Sequence, residues 1–208
     1  GSVGNLNALV RAGGIEEYIQ IAEALQEKKI AEIADRICAR RDRVRVVLIA
    51  GPSSSGKTTF SKKLMIQLRV VGRNPVTISL DDYFRPRPET PLDEEGKPDF
   101  ESLAALDVDL LNRHLVALLR GEEVDTPLYD FHTGRRREET RRMALPDRAV
   151  LILEGIHGLN DALTPAVERG AKYKIYVSAL TQLNLDDHNR VATTDNRLIR
   201  RMVRDNRF

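Results

Sequence analysis

The sequence predicts an α/β fold of three layers, in which helices cover both faces of a mostly parallel sheet. Two observations predict it. Four short, β-branched and almost continuously apolar runs read as buried parallel strands, at Val44 to Ala50, Pro75 to Leu80, Ala149 to Leu153 and Tyr173 to Val177. Helical patterns lie between them, at Lys57 to Val71 and at Ser102 to Arg120, the second with Leu103, Leu106, Leu110, Leu111, Leu115 and Leu118 on one stripe. Strands that alternate with helices build a parallel sheet whose ligands sit at the carboxyl ends of its strands.

Composition narrows the function classes. A chain of 208 residues is long enough for one well-buried domain and too short for two full-sized ones. Its formal net charge of +2 argues against a nucleic-acid binder held by bulk charge, so any cationic site must be local. The single cysteine, Cys38, excludes an intramolecular disulfide and fits a reducing cytoplasm. It falls on an apolar helix face, where packing is the preferred reading over a nucleophile. No run approaches the ~20 apolar residues of a membrane span. The opening Gly1-Ser2-Val3-Gly4 lacks the features of a signal peptide. Gly1-Ser2 in place of methionine reads as a scar of tag cleavage, so the natural protein is expected to begin upstream.

Taken in order, Ile15 to Cys38 shows helical apolar spacing, as two helices or one bent helix, and reads as a packing or linking element. With the polar break Arg40 to Arg43 it makes residues 1–43 an N-terminal helical extension or linker to a domain at 44–208. The strand at Val44 to Ala50 runs into Gly51-Pro-Ser-Ser-Ser-Gly-Lys57-Thr58-Thr59, which fits G-x-x-x-x-G-K-[ST] at each fixed position. Gly51 and Gly56 let the backbone turn close to phosphates, and the N–H groups of Ser53, Ser54, Ser55, Gly56, Lys57, Thr58 and Thr59 can form an anion nest at a helix start. Lys57 reaches the β- and γ-phosphates of ATP and the Thr58 hydroxyl ligates Mg²⁺. The motif alone does not separate kinase, ATPase and GTPase, but no Asn-Lys-x-Asp guanine signal accompanies it. The expected fold is therefore that of a P-loop NTPase.

Two later strands end in acids. After the second come Asp81 and Asp82; Asp81, nearer the strand end, can orient or deprotonate an acceptor hydroxyl and help hold Mg²⁺, or both can cap the loop. The third ends in Glu154, a Walker-B carboxylate for Mg²⁺ or a plain surface residue. Arg85 to Pro98, with four prolines and one glycine, is a loop. Arg135 to Arg142 holds five arginines in eight residues, a small hairpin whose charges are solvated unless one serves the site. Near the end, Arg201 and Arg204 share one side of a basic helix. They are either an ordinary basic face or a lid that meets transition-state charge. The stop at Asn206-Arg207-Phe208 reads as a boundary, not a natural terminus.

With these pieces in order, the sequence resembles the uridine–cytidine kinase and phosphoribulokinase family of P-loop kinases over roughly Val44 to Asp205. The resemblance is carried by the phosphate loop, Leu80-Asp81-Asp82-Tyr83-Phe84, Asp99-Phe100-Glu101, Pro127-Leu128-Tyr129-Asp130-Phe131 with Arg136, and Leu153-Glu154-Gly155-Ile156. Asp195-x-Arg197-Leu-x-Arg200-Arg201-x-x-Arg204-Asp205 looks like the family's lid helix. It implies an ATP- and Mg²⁺-dependent kinase of a small-molecule acceptor, a nucleoside or a sugar-like alcohol. Asp81, Lys57, Arg201 and Arg204 would be catalytic, and Thr58, Asp81 and Glu154 would hold metal. Tyr83, Phe84, Glu101, Tyr129, Phe131, His132 and Arg136 would bind the acceptor. Family nucleoside kinases usually carry a base-reading histidine where this chain has Gly134, and an aspartate where it has Glu101. Ser178 to Thr193 intervenes as an insertion before the lid. The look is closest to bacterial uridine kinase-like proteins with a threonyl-tRNA-synthetase-like N-terminal region, which makes the first helices a hinge. A nucleotide-binding regulatory module stays open as the alternative. No membrane or nucleic-acid partner is expected for this stretch, and self-association is left open.

Overall fold

The structure, a computed structural model, describes residues 1–40, 43–181 and 183–206. Arg41 and Asp42 of the expected polar break, Gln182 of the expected insertion, and the terminal Arg207 and Phe208 lie outside the described residues. The elements are helices α1 (Val3–Arg11), α2 (Ile15–Ala39), α3 (Lys57–Val70), α4 (Val108–Leu119) and α5 (Thr193–Asp205). The strands are β1 (Val46–Ala50), β2 (Asn74–Ser79), β3 (Val124–Thr126), β4 (Tyr129–Asp130), β5 (Arg135–Arg136), β6 (Arg141–Met143), β7 (Ala149–Glu154) and β8 (Lys172–Tyr176).

The four strands foreseen as apolar runs form one parallel sheet in the order β2-β7-β1-β8. Alternate side chains of β1 supply two cores. Val46 and Leu48 face a cluster with Ile78, Leu151 and Leu153, closed by Leu111, Leu115 and Leu118 of α4. Val47 and Ile49 face the other, with Leu64 and Leu68 of α3 and Ile30, Ala34 and Ile37 of α2. These are the three expected layers. The extension is thus part of the core, not only a linker. Its long helix is single and unbroken from Ile15, and its i, i+4, i+7 residues Ile30, Ala34 and Ile37 are its only buried ones. Cys38 packs at the edge of this second cluster, and burial pushes its thiol pKa up, which suppresses the reactive thiolate.

Two expectations are corrected. The helix foreseen from Ser102 begins only at Val108, because Asp107 accepts the N–H of Leu110 at 3.0 Å as an N-cap; before it stands a short 3₁₀ turn at Leu103–Ala105. A further helix, α1, was not foreseen; the Ser2 hydroxyl accepts the N–H of Asn5 at 3.2 Å and starts it. Ser2 also bridges Asn184, so the chain start is laced to the segment that precedes the lid. The arginine-rich stretch forms paired short hairpins, β3 with β6 and β4 with β5. Among the described residues no helix is long and apolar enough to cross a membrane.

Parallel register is what assembles the site. Glu154 at the end of β7 lies level with Ile49 of β1 on one side and Ser79 of β2 on the other. The phosphate loop leaves β1, and the turn that holds Asp81 leaves β2, at that same edge.

Candidate functional site

The loop from Gly51 to Gly56 runs between β1 and α3 as the motif requires. Gly56 caps α3 without any side-chain bond, which leaves first-turn N–H groups available at the positive end of the helix. Ser54 adopts a left-handed φ of 59°, the backbone kink that lets successive N–H groups converge. The reason for Gly51 is sharper than phosphate approach alone. A Cβ there would stand 2.3 Å from the carbonyl oxygen of Val177. Gly51→Ala is therefore expected to cost about 1–3 kcal/mol and to loosen the loop. Thermal unfolding checks it, and an unchanged midpoint refutes the contact.

Lys57 folds its ammonium back onto the carbonyls of Gly51 and Pro52, at 2.8 and 3.1 Å. Burial lowers its pKa, while Glu154 and Asp81 oppose that shift. The Thr58 hydroxyl donates to Glu154 Oε1 at 3.0 Å, and Glu154 Oε2 is buried with no partner among the described residues. Lys57, Thr58, Asp81 and Glu154 line one cavity of 560 Å³, together with Arg200 and Arg204. Burial raises the Asp81 carboxyl pKa, and the nearby Lys57 charge offsets part of that rise. Its neighbour points elsewhere: Asp82 accepts the N–H of Tyr129 at 3.2 Å and anchors the hairpin.

These oxygens suit a hard divalent cation. An orphaned carboxylate oxygen, a hydroxyl and a second carboxylate face one space. Mg²⁺ is ordinarily held by only one or two carboxylates plus phosphate and water oxygens.

The arginines of α5 take different partners, and Arg201 lines a small pocket with Ser53 and Ser54. Arg197 Nε donates to Ser53 O at 2.8 Å and Arg200 Nε to Ser54 O at 3.0 Å, so these two lie on the phosphate loop. Arg204 lines the cavity while it pairs with Asp205 at 3.0 Å. Arg201 is turned to Asp205 at 3.2 Å and does not line that cavity. Sequence spacing grouped Arg201 with Arg204, but it could not say which side of α5 meets the loop.

The expected acceptor residues divide likewise. Phe84, Tyr129 and Phe131 form an aromatic trio with ring centroids 5.1–6.2 Å apart, and Phe131 is exposed. Glu101 and His132 are exposed. Tyr83 corrects the expectation: it is fully buried, and its hydroxyl meets His114 Nδ1 at 3.0 Å, out of reach of any acceptor. Arg136 is spent within the fold. It donates to the carbonyls of Phe84 and Tyr83 and to Asp107, all at 3.2 Å, and clamps the hairpin to the strand-end turn. Gly134 adopts φ +66° beneath Arg87, whose side chain would lie 2.3 Å from any Cβ there. Arg87 also donates to Phe131 O at 2.7 Å. Nothing in the local sequence signalled Arg87, because its partner lies across the hairpin.

The model of the "Phosphoribulokinase / Uridine kinase family" matches residues 46–207. A uridine kinase of Chloroflexus aurantiacus is 34% identical over 161 residues, 77% of this chain and 67% of the relative. A uridine kinase of Deinococcus deserti is 34% identical over 161 residues, 77% and 68% of the two chains. Among solved structures, a possible uridine kinase from Bacillus stearothermophilus superposes with a TM-score of 0.58 at 25% identity, covering 72% of this chain and 79% of that one. A proposed fructose transport system kinase from Silicibacter sp. TM1040 shares the fold, with a TM-score of 0.55 at 18% identity, covering 85% and 82%. The family match begins at residue 46 and lends no support to a synthetase-like region before it.

Proposed function

The chain belongs to the phosphoribulokinase and uridine kinase family, and on that premise we propose that it is an ATP- and Mg²⁺-dependent kinase. Its acceptor is a hydroxyl of a nucleoside, uridine or cytidine first. The observation that carries the reading is the single cavity onto which Lys57, Thr58, Asp81 and Glu154 all open.

Each group then has a task. The loop N–H groups bind the phosphate chain, and Lys57 exchanges its two carbonyl partners for the β- and γ-phosphates. Thr58 and Glu154 supply oxygens for Mg²⁺, which would neutralise charge on those phosphates when bound. Asp81 takes the proton of the acceptor hydroxyl as that oxygen bonds the γ-phosphorus and the bond to the bridging oxygen breaks, with ADP leaving. Arg200 and Arg204 stabilise the charge of the transition state. Tyr129 and Phe131 offer flat faces to an acceptor base or ring.

The test is a screen of ATP consumption over nucleosides, deoxynucleosides and sugar-like alcohols. Turnover with uridine or cytidine is the expected result. Tight ATP binding without turnover across the panel points to the regulatory alternative.

One observation favours a different, sugar-like acceptor. Arg87 occupies the space above Gly134 where the resemblance leads one to look for a base-reading histidine. Installing the histidine is therefore not neutral: Gly134→His places a side chain at positive φ and is expected to cost about 1–2 kcal/mol. A drop in thermal midpoint without gain of uridine turnover agrees with this. A stable, faster uridine kinase removes it.

A further inference from the structure

Asp81 stands on one short turn. Leu80–Tyr83 is a 3₁₀ turn at the end of β2, and no side-chain hydrogen bond caps it at Ser79. The placement of Asp81 therefore depends on what holds the turn from outside. Leu80 and Tyr83, its two ends, are both fully buried. Asp81 lies between them and lines the phosphate cavity.

Helix α4 grips the Tyr83 end at two points. Asp107, its N-cap residue, donates its backbone N–H to the Tyr83 carbonyl at 2.8 Å. Seven residues on, His114 Nδ1 lies 3.0 Å from the Tyr83 hydroxyl, and the two rings meet edge to face with centroids 5.8 Å apart. That spacing is two helical turns, so both grips come from one side of α4. Burial lowers the His114 pKa, and Arg113 and Arg136 lower it further, so the imidazole is neutral and one ring nitrogen can accept the phenol hydrogen. An apolar pair would fill the same space. A hydrogen bond between buried side chains adds direction, because breaking it leaves a buried polar group without a partner. It limits how far Tyr83, and with it the turn, can rotate.

We propose that the His114–Tyr83 pair is a positioning brace for phosphoryl transfer, setting the angle at which the turn presents the Asp81 carboxylate to the acceptor hydroxyl. The inference rests on the reading of Asp81 as the base. It adds two residues that touch no reactant, and it gives Tyr83 a task other than acceptor contact. The brace acts on turnover and not on nucleotide affinity, since the phosphate loop leaves a different strand.

Steady-state kinetics test it with ATP and uridine, or with the acceptor of the ATP-consumption panel that turns over in its place. Tyr83→Phe removes one oxygen and is expected to lower kcat about tenfold with the KM for ATP unchanged, short of the ~10²-fold that a 1 Å misplacement can cost. His114→Leu should show the same loss, and the double variant no more than either alone, because both changes break one bond. His114→Asn keeps a polar atom near the Nδ1 position and should recover most of the rate. In the Asp81→Asn background, Tyr83→Phe should cost nothing further, since no base is left to misplace. A role in folding alone predicts the opposite pattern: a lower unfolding midpoint, unchanged kcat per folded molecule, and equal losses in both backgrounds. Unchanged kcat in Tyr83→Phe, multiplying losses in the double variant, or a further loss in the Asp81→Asn background would each overturn the brace and leave the reading of Asp81 standing. Unaltered turnover in Asp81→Asn, or no turnover of any panel acceptor by the unaltered chain, would overturn that reading and the brace together.

Discussion

Asp81→Asn is expected to lower kcat about 10²- to 10³-fold with ATP binding retained, the usual cost of losing one group that acts in the transition state. Asparagine keeps the shape but cannot take a proton. Asp81 faces the cavity at the end of β2, while Asp82 is committed to the Tyr129 N–H, so Asp82→Asn should slow turnover far less. Steady-state kinetics with a saturating acceptor decide the matter; unaltered turnover in Asp81→Asn removes the assignment. The same variant should unfold at a higher temperature at neutral pH. Burial raises the carboxyl pKa in the folded protein above its ordinary 3.8. The folded state therefore holds this proton more tightly than the unfolded chain does. Its favourable contribution is complete below 3.8 and is lost as pH rises through the raised value, so at neutral pH the charge opposes folding. Asparagine lifts that opposition, a gain in stability at the expense of activity. The acid limb of kcat/KM, which reports the free enzyme, should lie above the ordinary carboxylate range. It should disappear in the variant.

Arg200→Ala is expected to reduce kcat/KM about 10²- to 10³-fold, whereas Arg201→Ala should cost at most the ~0–1 kcal/mol of an exposed ion pair. Arg200 is bonded to the phosphate loop and lines the cavity that holds Lys57 and Asp81, while Arg201 is turned to Asp205. Replacing Arg200 by Lys separates charge from geometry. Lysine restores the charge but not the planar guanidinium fork. A larger loss from Arg201→Ala than from Arg200→Ala would show that α5 meets the nucleotide with its other side.

Much of the molecule could be read before its structure. The four strands of the sheet end within a few residues of their expected bounds, and the central two, β1 and β7, are continuous apolar runs because both their faces are buried. The phosphate loop was equally plain, since each fixed position in it answers a local demand on backbone or charge. Element ends set by one capping side chain were not. Asp107 moved the start of α4, and Ser2 created a helix that no apolar stripe announced.

By itself the sequence determined the layer order of the fold, the phosphate loop, and the carboxylates at the strand ends that meet it. All of these follow from neighbours along the chain. What only the tertiary structure decided concerns residues far apart in sequence: that β7 lies between β1 and β2 and so brings Glu154 to the loop; that Arg200 and not Arg201 is hydrogen-bonded to that loop; that Tyr83 belongs to the core; and that Arg87 covers Gly134. The physical reason is common to them. Periodicity fixes which residues share a face, but only packing against the rest of the chain fixes what that face meets.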